Sequence, residues 1–309
     1  LLAPLEHRMS GLRTGPQPTR DPEFIRRVTP PIAWLTSYFS PEVRGLERIP
    51  LSGPVLVVGN HSCLFYMPDV WVVGQALIAR RGHERPTYAM GYDLLFAVPG
   101  VSGFLRKVGA IPAAYEEAEA ALREDAQLLV YPGGDWEACR PWKDRNRIDF
   151  AAHRGFVKLA LRTGAPVVPV VTHGSHDAVV VLSRGEALAR AMGLHHLRIK
   201  VFPLALGPPF GVTSMLSPPL PLPSAITVEF LPALDWTRLG PHAASDDGVV
   251  DACYDEITGL MQDALTRMHR ENPHPVATGI GRLARHGLTG HTRGLPSVAK
   301  DGAPSAGSS

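Results

Sequence analysis

The sequence predicts an α/β fold, a largely parallel sheet flanked by helices. Three observations lead there. Short apolar runs recur at Pro54–Gly59 (PVLVVG), Gln127–Tyr131 and Ala165–Val171 (APVVPVV), each closed by a glycine or a turn. Runs of this kind read as strands buried on both faces. Between them lie segments whose apolar residues recur at helical spacing, and that alternation builds parallel sheets through crossover connections.

Residues 1–22 are polar and rich in Pro, Gly and Arg, and read as a disordered N-terminal segment; Met9 is a candidate start. Residues 23–44 form an N-terminal helical segment, with short helices broken near Pro30 and Pro31. Its aromatics beside Arg26 and Arg27 suit either a helix packed on the core or an interfacial one. The main α/β domain then spans residues 45–271. Pro54–Gly59 is its first strand, and Asp69–Arg81 a helix closed by Gly82. Glu116–Ala126 is an alanine-rich helix, followed by the strand Gln127–Tyr131 and the turn Pro132-Gly133-Gly134. Residues 153–163 place Phe156, Leu159 and Ala160 on one helical face that ends at Gly164. Ala165–Val171 and Ile226–Leu231 are further strands. Over residues 249–270, Val250, Cys253, Ile257, Leu260, Met261, Ala264 and Met268 mark a helix packed on the sheet. Residues 272–309 read as a disordered, solvated tail.

A chain of 309 residues supports one large core. Its 45% hydrophobic and 19% charged residues are ordinary for a globular protein, and a net charge of +2 gives no electrostatic argument for nucleic acid. Three scattered cysteines, Cys63, Cys139 and Cys253, form neither a disulfide framework nor a zinc pattern, and fit a reducing cytoplasm. The first residues lack a signal-peptide layout, and no apolar run reaches the ~18 residues of a spanning helix. The charge-free stretch Val201–Val228 is interrupted by seven prolines and is not a regular helix.

Three motifs carry chemistry. In GNHSCLFYMPD (residues 59–69) a buried strand runs into Asn60-His61, and Asp69 follows just before a helix. Ligands of open α/β sheets bind at strand ends, and a His there is suited to general-base work. An acid on its second ring nitrogen fixes the tautomer and stabilises the imidazolium. Alone, the pair equally describes a polar strand end with a capping Asp. In YPGGDWEACRPW (residues 131–142), glycines after a strand let backbone N–H groups approach a ligand, or simply make a turn. In APVVPVVTHGSHD (residues 165–177), His173 and His176 have H-x-x-H spacing, but no third metal ligand is in place. No G-x-S-x-G elbow or phosphate-binding glycine loop occurs.

Together these motifs resemble the lysophospholipid and glycerolipid acyltransferase superfamily over roughly residues 45–235. The first block is matched by Asn60, His61 and Asp69, the second by GFLRKVGAIPA (residues 103–113), the third by Pro132-Gly133-Gly134 and the fourth by the Val-Pro-Val-Val strand. Two departures stand out. The family places four residues between His and Asp, where this chain has seven. The third block is usually Phe-Pro-Glu-Gly-Thr-Arg, whose Glu and Arg serve a phosphate-bearing acceptor; here Gly133 and Trp136 hold those places. Pro-Gly-Gly followed by Glu137 is similar to the mono- and diacylglycerol acyltransferase branch, which implies an acceptor without phosphate.

The resemblance implies an acyltransferase domain at residues 45–271, with His61 as general base, Asp69 as its partner and no cofactor or metal beyond the co-substrate, acyl-CoA or acyl carrier protein. It implies a substrate site including Asn60, Arg106, Gly133, Gly134, Glu137 and Arg140, with the two glycines as oxyanion donors. Nothing marks Cys63 as an activated nucleophile. Partners would be the acyl donor, a lipid acceptor and a membrane surface, with no nucleic acid. The expected location is cytoplasmic, peripheral to the inner face of the membrane, attached through residues 23–40 or 201–223. A catalytically inactive lipid-binding scaffold and a lipid or thioester hydrolase are the competing functions.

Overall fold

Asp21 opens the first helix. In the computed structural model, which describes residues 20–62, 66–98, 100–194, 199–214, 216–288 and 292–295, its carboxylate accepts the Phe24 N–H and caps helix α1 (Pro22–Thr36). The helix continues through Pro30 and Pro31 instead of breaking there. The prolines deprive the carbonyls of Arg26 and Arg27 of their helical partners. All four residues are exposed, so water can replace the lost donors.

The chain then lays down β1 (Glu42–Arg44), β2 (Val55–Gly59), α2 (Pro68–Arg81), β3 (Thr87–Gly91), α3 (Asp93–Ala97) and α4 (Val101–Lys107). Next come β4 (Ala110–Pro112), α5 (Tyr115–Arg123), β5 (Gln127–Val130), α6 (Gly134–Ala138), α7 (Gly155–Thr163) and β6 (Val167–His173). A subsidiary region holds β7 (Val180–Ser183), α8 (Glu186–Ala191), β8 (Leu204–Gly207) and β9 (Gly211–Ser214). The chain returns with β10 (Thr227–Phe230), α9 (Asp247–Glu271) and α10 (Pro275–His286).

The main sheet has the order β1-β10-β6-β2-β5-β3-β4. The block β6-β2-β5-β3-β4 is parallel, β10 runs antiparallel to β6, and β1 is parallel to β10. The central strand β2 is buried at every position, because its alternating side chains serve two cores. Leu56 and Val58 pack with α5, α7 and α9 on one face; Val55 and Val57 pack with α2 on the other. This is the predicted α/β arrangement, with helices on both faces. Because the central strands are parallel, their C-terminal ends share one edge, where the segments after β2, β3, β5 and β6 gather.

The expected tail is structured at its start. Helix α10 docks on the extended chain before β10: a Cβ on Gly279 would lie 2.0 Å from the Pro223 carbonyl oxygen, so only glycine permits this approach. The Ala225 N–H donates to the Pro275 carbonyl, and Arg282 reaches Glu42 and the Ser40 carbonyl. Tertiary docking holds a helix that carries two glycines and whose composition alone does not favour it. Among the described residues no helix is long and apolar enough to cross a membrane.

Candidate active site

The site begins where β2 ends. Gly59 lies against the Tyr131 ring, and an added Cβ would sit 2.6 Å from Tyr131 Cε1. Asn60 then imitates a peptide group. Its Nδ2 donates to the Thr172 carbonyl at 2.9 Å, and its Oδ1 accepts the Thr172 N–H at 2.7 Å. Its carboxamide is thus engaged by the β6 backbone and carries the β2–β6 ladder one residue further.

That extension projects His61. Its Nδ1 lies 2.7 Å from Asp69 Oδ2, which also accepts the Ser62 N–H at 3.1 Å. Asp69 is fully buried in the first turn of α2, where the helix dipole favours an anion. Met67, in the left-handed region, takes the cap position, so Asp69 faces His61 and does not cap the helix. The pair closes despite the longer His-to-Asp spacing. Cys63, between the two in the chain, lies outside the described residues. Burial of the His61 ring disfavours its charged form, but the Asp69 carboxylate, by charge and hydrogen bond, and then Glu137 outweigh this, and the pKa rises above 6.5. With Nδ1–H directed at Asp69, Nε2 is left as a proton acceptor. The Tyr131 ring packs on the imidazole at 4.7 Å between centroids. Burial, then the charges of Asp69 and Glu137, push the Tyr131 hydroxyl well up, which keeps it protonated.

The Pro-Gly-Gly turn supports His61 from behind. Gly133 has ordinary helical φ, but a Cβ there would meet Glu137 Cβ at 2.5 Å and Asp149 O at 2.8 Å. Gly134 has φ +48° and open space around it. Its N–H donates to the Tyr131 carbonyl at 3.0 Å, so the turn itself uses that donor.

Glu137 is fully buried; its Oε2 accepts the His61 backbone N–H at 2.9 Å, and its Oε1 accepts the Asp149 N–H at 3.2 Å and Arg140 Nη1 at 3.1 Å. It is a strut under the histidine. Arg140, equally buried, bonds Glu137 and the Arg147 carbonyl, while its Nε and Nη2 have no partner among the described residues. It acts on the site through its field. Arg106 lies on α4, with its guanidinium over the Phe96 ring, and has no described bond to His61 or Asp69.

The H-x-x-H histidines diverge. A ring nitrogen of buried His176 bonds the Arg140 backbone, and Nε2 has no partner among the described residues; burial, then the charges of Arg140 and His61, hold its pKa well down. His173 instead packs beside His269, with ring centroids 5.7 Å apart. No described group of three His, Cys, Asp or Glu is placed to hold a metal. Sequence reasoning did not assign Tyr131 or His176 to this site. Their signals were an aromatic directly before the Pro-Gly-Gly turn and a His just after β6.

The chain matches the protein-family model described as Acyltransferase over residues 40–173, the stretch that carries His61, Asp69 and the Pro-Gly-Gly turn. It is 30% identical over 251 residues to an uncharacterized protein of Mycobacterium tuberculosis (strain ATCC 25618 / H37Rv), covering 80% of this chain and 67% of that one. It is 27% identical over 196 residues to the human DGAT1/2-independent enzyme synthesizing storage lipids, covering 62% of this chain and 56% of that enzyme. It is 29% identical over 168 residues to chloroplastic phytyl ester synthase 2 of Arabidopsis thaliana, covering 52% of this chain and 23% of that protein.

Proposed function

Because the chain belongs to the lysophospholipid and glycerolipid acyltransferase superfamily and is an acyltransferase, we propose that it moves a fatty acyl group from a thioester of coenzyme A or acyl carrier protein to a lipid hydroxyl, with His61 as the general base. The observation that carries this reading is the 2.7 Å His61–Asp69 pair at the C-terminal end of the central strand.

Nε2 of His61 takes the proton of the acceptor hydroxyl as its oxygen attacks the thioester carbonyl. Asp69 holds the ring in the required tautomer and offsets the imidazolium charge. The tetrahedral intermediate collapses, the thiolate leaves, and the imidazolium returns the proton to it. No covalent enzyme intermediate and no metal is called upon. The buried Arg140 cation favours the negative charge that develops on the carbonyl oxygen.

The acceptor is a neutral lipid alcohol. Trp136 stands where the family's phosphate-facing Arg belongs, and its indole is occupied by Asp149 and by the Arg184 guanidinium stacked on it. The human and plant relatives, named for storage lipids and phytyl esters, fit the same class of acceptor. The protein works as a peripheral enzyme at a membrane surface.

The test is transfer of radiolabelled acyl groups from acyl-CoA to mono- and diacylglycerols. His61→Ala should lower the rate at least about a hundredfold, the scale of general-base loss, while the protein stays folded. A folded His61→Ala enzyme with near-normal turnover refutes the mechanism. Release of free fatty acid at equal rates with and without a lipid alcohol would identify a hydrolase instead.

A further inference from the structure

The three-stranded sheet β7-β8-β9 is apolar on both faces, and among the described residues only one face has a partner. Its register places Val181, Ala205 and Thr213 in one cross-strand row and Val180, Leu206 and Val212 in the next. The first row is buried. The second turns outward, with Leu206 44% and Val212 66% exposed. Phe210 in the β8–β9 turn is 62% exposed, and beyond β9 Leu216 and Leu220 are 80% and 58% exposed. A surface sheet ordinarily alternates apolar and polar faces, so an outward face of this composition marks a binding surface.

We propose that this outward face, carried by Leu206, Phe210, Val212, Leu216 and Leu220, is the surface by which the enzyme lies on a lipid bilayer. The choice of lipid as occupant rests on the acyl-transfer reading; the existence of an unpartnered apolar face does not. Two further observations favour a bilayer over a protein partner. No Asp, Glu, Lys or Arg occurs between Val201 and Val228, so the face offers no ionic group to a protein surface. Exposed Lys200, immediately before this stretch, is available to anionic headgroups.

The face is fixed in place. The Leu220 N–H donates to the Pro208 carbonyl, and Gly207 packs against Pro219 so closely that a Cβ would lie 2.8 Å from Pro219 Cβ. Tyr66 Oη donates to the Pro219 carbonyl and Tyr38 Oη to the Pro221 carbonyl, each at 2.8 Å. Tyr66 lies three residues before Asp69, so the face is moored to the segment that brings Asp69 to His61. Through Tyr38 it is moored beside exposed Trp34 and Leu35 at the end of α1. Irregular backbone with this many prolines cannot enter the hydrocarbon core, so contact is shallow, at the depth of the headgroup–acyl boundary.

The experiment uses the full chain and flotation with phosphatidylcholine vesicles, with and without phosphatidylglycerol. The variant Phe210→Ser/Val212→Ser/Leu216→Ser should reduce vesicle binding at least about tenfold. Its melting temperature and its transfer of a short acyl chain to a dispersed soluble alcohol should stay unchanged. Leu216→Ser alone, at a site with almost no packing to lose, gives a smaller drop in the same direction. The proposal is overturned if the triple variant floats like the wild type, or if the wild type does not float. It is equally overturned if light scattering shows a dimer that the triple variant dissolves, because the occupant is then a second copy. Loss of flotation on Trp34→Ser/Leu35→Ser alone transfers the role to α1 and also overturns it. A wild-type protein that floats but transfers no acyl group to any lipid alcohol refutes the proposed function and leaves the surface assignment standing.

Discussion

Replacing Gly133 by Ala isolates the support beneath His61, the proposed base. The backbone there is ordinary, with φ −70°, so alanine carries no conformational penalty and even gains about 0.4–1 kcal/mol by restricting the unfolded chain. The obstacle is space. The new Cβ would stand 2.5 Å from Glu137 Cβ, 2.7 Å from Glu137 Oε2 and 2.8 Å from the Asp149 carbonyl oxygen, all closer than real Cβ contacts come. Overpacking of this kind costs about 1–3 kcal/mol. Relief requires Glu137 to shift, and Glu137 Oε2 is the acceptor for the His61 N–H. A hydrogen bond to a buried charge is worth about 1.5–3 kcal/mol, so the net loss should be roughly 2–4 kcal/mol. The matched control is Gly134→Ala. Its φ of +48° costs about 1–2 kcal/mol, but nothing lies within 4 Å of the new methyl. Gly133→Ala should therefore lower the melting temperature by at least about 4 °C and acyl transfer by at least about tenfold, with Gly134→Ala milder on both counts. Equal melting temperatures for Gly133→Ala and wild type, or a reversed order of the two variants, would falsify the argument that Glu137 props His61.

Three other outcomes follow from the same geometry. On the proposed mechanism transfer needs a neutral His61, whose pKa is raised, so the rate should fall as pH drops through a midpoint above that of a free imidazole. Asp69→Asn removes the charge that raises this pKa and leaves burial dominant, so the midpoint should move to lower pH while the plateau falls at least about tenfold; a pH–rate profile with an unmoved midpoint refutes this. His173 is held neutral to about pH 4 by burial and then by His269, so the unfolded chain takes up a proton that the fold refuses. Stability should fall as pH drops from 6.5 toward 4, by up to about 3 kcal/mol, and His173→Leu should flatten that fall in urea titrations; an identical acid dependence would show that other groups control it. In competition, diacylglycerol should be acylated in preference to lysophosphatidic acid, and the opposite preference would remove Trp136 from the account of acceptor choice.

The β2, β5 and β6 strands and the helix α9 could be read from the chain, since a fully buried strand must be continuously apolar and a packed helix must repeat near 3.6 residues. The short strand β3, TYAMG, carries no such pattern, and neither does β4. The sheet β7-β8-β9 was hidden because its glycines and prolines match an irregular loop; only strand pairing shows which residues turn outward. Helix α10 depends on Gly279 meeting the backbone near Pro223, a long-range contact that local propensity does not encode. In the site, the residue types at positions 60, 61, 69, 133, 134 and 137 were legible as a group. The direction in which Asn60 and Glu137 point was not. A buried carboxylate or carboxamide beside a catalytic histidine looks alike in sequence whether it faces a substrate or a backbone N–H.

The struts of His61 come from distant parts of the chain. Asp69 is 8 residues away and Glu137 is 76, while the Asn60 carboxamide just before the histidine is clasped by a residue 112 positions from it. Closing loops of the latter two lengths is slow and comes late in folding. Collapsed intermediates with formed helices should therefore lack activity, and in refolding the return of turnover should lag the return of helical circular dichroism. Cutting the chain between β5 and β6 should give two pieces that are each inert. Mixing them restores turnover only when the Asn60–Thr172 clasp re-forms across the break, so the catalytic rate serves as a clock for the last long-range closure of the sheet.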